Sequence, residues 1–209
     1  MSHPIIFIYT KYMMLLLLVI LFLVWFLIPV YTKPIVIPNF LTEEEINHIK
    51  KEAGGKFSTS TVSANKKIDK NMRDSETAWL DLKDPIVKRV TEKCVSLTDR
   101  PFINCEKLQV VRYKPGGFYK PHQDTFNDTN GNKRMYTIIL ALNDDYEDGE
   151  TVFPNIKRKY KLNKGDALFF NTLDNYELIT SKALHGGAPV KSGEKWICNI
   201  WIHKYKYGN

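Results

Sequence analysis

The rhythm of apolar and polar positions changes twice along this chain. From Met13 to Val30 there is no charge in 18 residues, and Leu, Ile, Val and Phe dominate, so the run approaches the length of a membrane crossing. Tyr12 and Tyr31 flank it where interfacial aromatics sit, while Lys11 before it and Lys33 after it leave the orientation undetermined. The run exceeds the apolar region of a cleaved signal peptide and no small-residue cleavage pattern follows it. Those two features predict an uncleaved transmembrane anchor over residues 1–33.

From residue 34 to residue 209 the pattern is that of one folded domain. Pro34 to Phe40 reads as a short strand. Thr42 with Glu45 has the form of a capping box, and Glu43 to Glu45 put negative charge at the favourable end of a helix dipole. That helix should reach Glu52 or Ala53, stop at Gly54-Gly55, and present Ile46 and Ile49 to the core. Gly55 to Asn71 is polar, Lys-rich and aperiodic, the signature of a loop. A second helix is expected from Asp84-Pro85 to about Leu97, with Asp84 as cap and Ile86, Val87, Val90, Cys94 and Leu97 at helical spacing.

After Glu106 the period shortens to that of strands. Gln109 to Tyr113, Tyr136 to Leu142, Thr151 to Phe153, Ala167 to Phe170 and Trp196 to His203 are β-rich, and Pro115-Gly116-Gly117, Asn130-Gly131, Asp148-Gly149 and Lys164-Gly165 mark turns. The expected fold is mainly β with flanking helices: a double-stranded β-helix, or jelly roll, buttressed by two helices and preceded by a transmembrane helix.

The composition, 44% hydrophobic and 25% charged over 209 residues, is ordinary for a globular domain with an appendage. A formal charge of +7 favours acidic partners without naming them. The basic cluster Lys157-Arg158-Lys159, with Lys161 beyond it, is expected in a solvated loop, and no nucleic-acid partner is expected. Cys94, Cys105 and Cys198 are an odd set without metal-ligand spacing, so at most one disulfide could form, and buried free thiols fit equally well. Asn127-Asp128-Thr129 is a glycosylation sequon if that part of the chain is lumenal.

The chemistry is concentrated in His122-Gln123-Asp124 and His185. On a strand, positions i and i+2 point to one side, so His122 and Asp124 would face together while Gln123 points away. His185 follows Asp124 by 61 residues, which requires a late strand to return beside the early one. Two imidazoles and one carboxylate suit Fe(II), because they occupy one side of the ion and leave positions open for an oxidant and a co-substrate. A structural zinc would ask for four protein ligands. His3, His48 and His203 are expected to be structural or solvated. Lys195 comes ten residues after His185, and Lys195, Ile197, Asn199 and Trp201 would share one face of a strand. If that face is inward, a buried ammonium there can pair with the far carboxylate of an iron-chelating dicarboxylate. A surface lysine is the alternative reading.

Four segments in order carry a resemblance. Leu108 to Asp124, Gly149-Glu150-Thr151-Val152-Phe153-Pro154, Lys164 to Phe170 and Leu184 to Trp196 resemble the catalytic domain of prolyl 4-hydroxylases, over about residues 35 to 205. The resemblance implies a Fe(II)- and 2-oxoglutarate-dependent dioxygenase of the compact plant, algal and viral type. In that family the enzyme hydroxylates peptidyl proline at the ring 4-position and turns 2-oxoglutarate and O2 into succinate and CO2, with L-ascorbate rescuing oxidised iron. It implies His122, Asp124 and His185 as iron ligands and Lys195, Tyr113 and Thr151 around 2-oxoglutarate. Tyr119 and Trp201 would lie beside the substrate proline, and Arg73 to Leu80 would border the peptide site. It also implies a catalytic part in the endoplasmic reticulum lumen. Two features depart from the family: Ala188 stands where a Cys is common, and no peptide-binding domain precedes the catalytic part. The substrate therefore stays open to another amino acid or a small molecule, and the competing class is a tethered barrel that binds a peptide or sugar without catalysis.

Overall fold

The computed structural model describes residues 4–62, 67–126 and 131–208. His3, Asn130 and the sequon Asn127-Asp128-Thr129 lie outside the described residues. The chain forms two compact units, residues 1–30 and 31–209.

The first unit is helix α1, Pro4–Phe26, whose described side chains from Tyr9 to Phe26 are all exposed. It begins before the apolar run and ends inside it, with Lys11 within the helix and Leu27 to Val30 continuing as turn and coil. Pro29 accounts for the early stop, since its ring disfavours helical backbone at Ile28 and it brings no N–H to the ladder. Among the described residues this is the one helix long and apolar enough to cross a membrane.

In the second unit, β1 (Ile35–Ile37), α2 (Glu43–Ala53), β2 (Ser58–Thr59), β3 (Arg73–Asp74), β4 (Glu76–Leu80) and α3 (Pro85–Val95) come first. They are followed by β5 (Leu108–Tyr113), β6 (Phe118–His122), β7 (Arg134–Ala141), β8 (Glu147–Asp148), β9 (Thr151–Phe153), β10 (Arg158–Tyr160) and β11 (Ala167–Asn171). The last are β12 (His185–Gly187), β13 (Val190–Ser192) and β14 (Lys195–His203). A seven-stranded sheet runs β1-β11-β7-β14-β5-β4-β2, a five-stranded sheet runs β10-β9-β12-β6-β3, and β13 pairs with β8.

Alternation along the strands explains the layering. Ile138, Leu140, Cys198, Ile200 and Ile202 face one way and pack with Ile46, Ile49, Val87, Val90 and Cys94 of the two helices. Their neighbours Ile139, Ala141 and Ile197 face the other way and pack with Val111, Tyr113, Phe153, Leu168 and Phe170 to form a second core. The expected caps are present: Thr42 and Glu45 close a full capping box, and the Asp84 carboxylate accepts from the Ile86 and Val87 amides.

Several expectations change. Tyr31 is not an interfacial flank but is buried within the second unit, 9% exposed, and burial raises its hydroxyl pKa. The second helix stops at Val95, short of Leu97. Gly55 to Asn71 contributes β2 to the edge of the large sheet instead of remaining wholly loop. Arg158 and Lys159 lie on β10, a short edge strand, although both stay exposed as the charge run implied. Cys94, Cys105 and Cys198 are all free and buried in the helix-facing core.

Candidate iron and co-substrate site

β12 is the late strand that returns. It lies between β6 and β9, with His185 directly paired to His122 and Gly187 paired to Thr151. The approach of β12 to β6 depends on Gly186, where a Cβ would come within 2.6 Å of the Tyr119 carbonyl oxygen. No other residue fits that contact without moving the histidines.

The ligand strand is shorter than expected. β6 ends at His122 because its ladder partner β12 begins at His185, so Asp124 lies beyond the strand and strand alternation does not aim it. Other groups do. Thr137 Oγ1 donates to Asp124 Oδ2 at 2.7 Å, and Arg134 Nη1 donates to the Asp124 carbonyl at 3.0 Å. Gln123 points elsewhere and donates from Nε2 to the Thr180 carbonyl, 3.0 Å away.

The result is one cluster in which a ligand atom from each of His122, Asp124 and His185 lies within 4.8 Å of the others. Its hydrogen bonds settle the tautomers. His122 Nδ1 meets the Lys120 carbonyl at 3.0 Å and His185 Nδ1 meets the Ala183 carbonyl at 3.1 Å. A carbonyl only accepts, so both Nδ1 atoms carry the proton and both Nε2 atoms, when neutral, present lone pairs. Those Nε2 atoms lie 3.4 and 3.5 Å from the two Asp124 carboxylate oxygens. Acceptors facing acceptors need a proton or a cation among them, and the proton is disfavoured at His185: burial pushes its pKa down to about 4 against the opposing pull of Asp124. Burial by itself would raise the Asp124 pKa, but the two histidines and Arg134 hold the carboxyl well below the usual range. A divalent cation is the group this donor set fits.

Packing fixes the rings. Tyr119 stacks on His122 with centroids 3.6 Å apart, and Phe153 and Phe170 pack on His185. Arg73 lies over the Tyr119 ring at 4.7 Å.

One cavity of about 950 Å³ joins these groups to Lys195. Lys195, Ile197, Asn199 and Trp201 all line it, as alternation along β14 required, together with Tyr113, Tyr119 and Thr151. Lys195 is 4% exposed, lies 5.4 Å from the Tyr113 ring centroid, and donates to the Gly149 carbonyl at 2.7 Å. Among the described residues it has no carboxylate within 4 Å. Burial, and then the charge of Lys161, pull its pKa down to about 8. A buried ammonium with one neutral partner is a site built for an anion.

Glu106 and Arg134 also line the cavity and were not anticipated. They bond to each other at 2.5 Å, His203 Nε2 donates to Glu106 at 2.8 Å, and the Arg134 guanidinium lies 3.9 Å from the Trp201 ring. His203 is thus structural, as is His48, whose Nε2 meets Asp84 at 2.9 Å. Thr137 could have been found, since it shares the inward face of β7 with Ile139 and Ala141. The Glu106–Arg134 pair had no local signal.

A model of the 2OG-Fe(II) oxygenase superfamily matches residues 108–203. A protein of Acanthamoeba polyphaga mimivirus, named for prolyl 4-hydroxylase, is 37% identical over 187 residues, covering 85% of this chain and 76% of that protein. Prolyl 4-hydroxylase 1 of Arabidopsis thaliana is 33% identical over 193 residues, with 81% and 68% covered. This chain belongs to the prolyl 4-hydroxylase family. A further Arabidopsis relative, 35% identical, is spanned to 60% of its length. Among solved structures, the 2OG complex of a viral collagen prolyl hydroxylase from Paramecium Bursaria Chlorella virus-1 superposes with a TM-score of 0.69 at 29% identity, covering 83% of this chain and 97% of that one. The jelly-roll core is therefore that of the 2OG oxygenases.

Proposed function

We propose that this prolyl 4-hydroxylase family member hydroxylates peptidyl proline at the ring 4-position, with 2-oxoglutarate as co-substrate. The observation that carries the reading is the pairing, in one cavity, of a two-His, one-carboxylate cluster with a buried lysine that forms no ion pair within 4 Å among the described residues. When bound, iron with 2-oxoglutarate and O2 supplies an oxidant able to hydroxylate a C–H bond, leaving succinate and CO2, and ascorbate restores iron lost to oxidation.

The chain supplies position. His122, Asp124 and His185 would hold the iron, with the Nδ1 bonds to Lys120 and Ala183 keeping both rings in the ligating tautomer. Lys195 would pair with the distal carboxylate of 2-oxoglutarate, and Tyr113 and Thr151 would add hydrogen bonds beside it. Tyr119 and Trp201 would wall the proline, and the buried rings around them would keep water from the reacting centre. Trp79 and Glu106 line the same cavity and would extend this wall.

α1 is read as a membrane anchor because its Tyr9–Phe26 span is exposed and apolar enough to cross a membrane despite Lys11, and the resemblance assigns the catalytic part to the endoplasmic reticulum lumen. Resistance of the full chain to alkaline extraction, and protection from protease in sealed microsomes, test those two statements. The activity test incubates the full chain in detergent with Fe(II), 2-oxoglutarate, ascorbate and Pro-rich peptides. Succinate and a one-oxygen gain on proline are expected, and the Asp124→Ala variant should give neither. Succinate with no modified proline, across a broad peptide panel, would move the substrate to another amino acid or a small molecule.

A further inference from the structure

Two lysines converge on the segment from β8 to β9. Lys195 Nζ donates to the Gly149 carbonyl, and Lys161 Nζ donates to the carbonyls of Tyr146 and Asp148, each at 2.8 Å. The Lys161 ammonium also lies 3.3 Å from the centroid of the Tyr146 ring. An exposed lysine usually keeps its head group in water; this one has three partners on a single turn.

The turn is one that needs holding. Asp148 and Gly149 take successive positive φ values of 58° and 68°, and at Asp148 a side chain must tolerate the left-handed region. Gly193 presses on the same segment, where a Cβ would come within 2.6 Å of the Asp145 carbonyl oxygen. Among the described residues neither lysine forms an ion pair within 4 Å. Glu150, Asp148, Asp144 and Glu147 act on Lys161 from farther off, and Glu150 acts on Lys195. Two ammonium groups therefore share three neighbouring carbonyls, Lys195 lining the co-substrate cavity and the exposed Lys161 acting on it from behind the turn, and an anion bound at Lys195 would offset their mutual repulsion.

We propose that Lys161 is a positioning residue for 2-oxoglutarate. By clamping the Tyr146 and Asp148 carbonyls it holds the Gly149 carbonyl, and through it the Lys195 ammonium, where the distal carboxylate binds, and it adds a second positive charge to that end. This rests on the assignment of 2-oxoglutarate to Lys195, so the experiment carries a control for that assignment.

The test is calorimetric binding of 2-oxoglutarate to the full chain loaded with redox-inert Zn(II), for wild type, Lys161→Gln, Lys161→Arg and Lys195→Met. Lys161→Gln should weaken binding roughly three- to tenfold, the size of a partly exposed charge acting through an outer-shell contact. Lys161→Arg should stay within about twofold of wild type, and Lys195→Met should lose binding. With Fe(II), Lys161→Gln should raise KM for 2-oxoglutarate by the same factor while kcat and the peptide KM stay within about twofold. The proposal is overturned if Lys161→Gln binds 2-oxoglutarate like wild type, if it only lowers the melting temperature, or if it depresses kcat and both KM terms together. Wild-type binding by Lys195→Met would instead overturn the assignment on which the proposal rests.

Discussion

Lys195→Met should make the ligand-free protein more stable while destroying its capacity for 2-oxoglutarate. Burial moves the Lys195 pKa from 10.5 to about 8, so holding the charged form folded costs about 3 kcal/mol at neutral pH. The hydrogen bond from Nζ to the Gly149 carbonyl returns about 1 kcal/mol of that. Methionine fills a similar volume without the charge, so the net gain should be about 2 kcal/mol, or roughly 4–8 °C in Tm for a domain of this size. The pH dependence has a definite sign. With the folded pKa below the unfolded one, the folded chain binds fewer protons between about pH 8 and 10.5, so wild-type stability rises with pH across that window. The advantage of Lys195→Met should therefore be complete at pH 7, shrink as pH rises above about 8, and be gone by pH 10.5. Thermal melts of metal-free, co-substrate-free wild type and variant across pH 7 to 10.5 measure both features. A variant less stable than wild type at pH 7, or a difference that does not change with pH, would refute the reasoning.

Three further outcomes are expected. Gly186→Ala must push β12 off β6, because its Cβ would meet the Tyr119 carbonyl oxygen at 2.6 Å; a loss of at least roughly 2 kcal/mol in chemical denaturation and a marked fall in iron affinity should follow. Thr137→Val removes the 2.7 Å donor to Asp124 Oδ2, a hydrogen bond to a charged group of roughly 1.5–3 kcal/mol, and metal titration should show weaker iron binding with the fold intact. In the metal-free protein His185, held neutral with its pKa down to about 4, supports folding above its ordinary value of 6.5, so its share of stability should be lost as pH falls from 6.5 to 4 and be absent from His185→Gln.

Much of the fold was legible because local rules were obeyed. Thr42, Glu45 and Asp84 announce helix starts by satisfying orphan amides within a few residues, Pro85 does so by bringing no N–H to satisfy, and the structure keeps all four roles. The two-residue period of β7 and β14 separates the helix-facing core from the sheet-facing one before any contact is known. What failed was set from a distance. β2, β3 and β10 have two or three residues each and exist only because a neighbouring edge offers hydrogen bonds, so no pattern within them could reveal them. Tyr31 has the right chemistry for a membrane interface, and only the folded domain beside it decides that its ring is buried.

The site divides along the same line, and the division explains why Asp124 was aimed correctly for an incomplete reason. Histidines 122 and 185 are placed by a strand pair, a geometry that spacing can suggest, and Gly186 is the local mark of how close that pair must be. Asp124 lies past the end of the strand, and its orientation comes from Thr137 and Arg134 on β7, with Arg134 in turn held by Glu106. A carboxylate placed from another strand can be tuned without moving the histidines, so variants of Thr137 and Arg134 should alter metal affinity while leaving the His122–His185 pairing in place. Lys195 completes the logic at the other end of the cavity: its own strand puts it inward, but the carbonyl it meets belongs to the β8–β9 turn. Spacing along the chain therefore tells which side chains enter the cavity, whereas the groups that set their angle and charge come from elements the sequence keeps far apart.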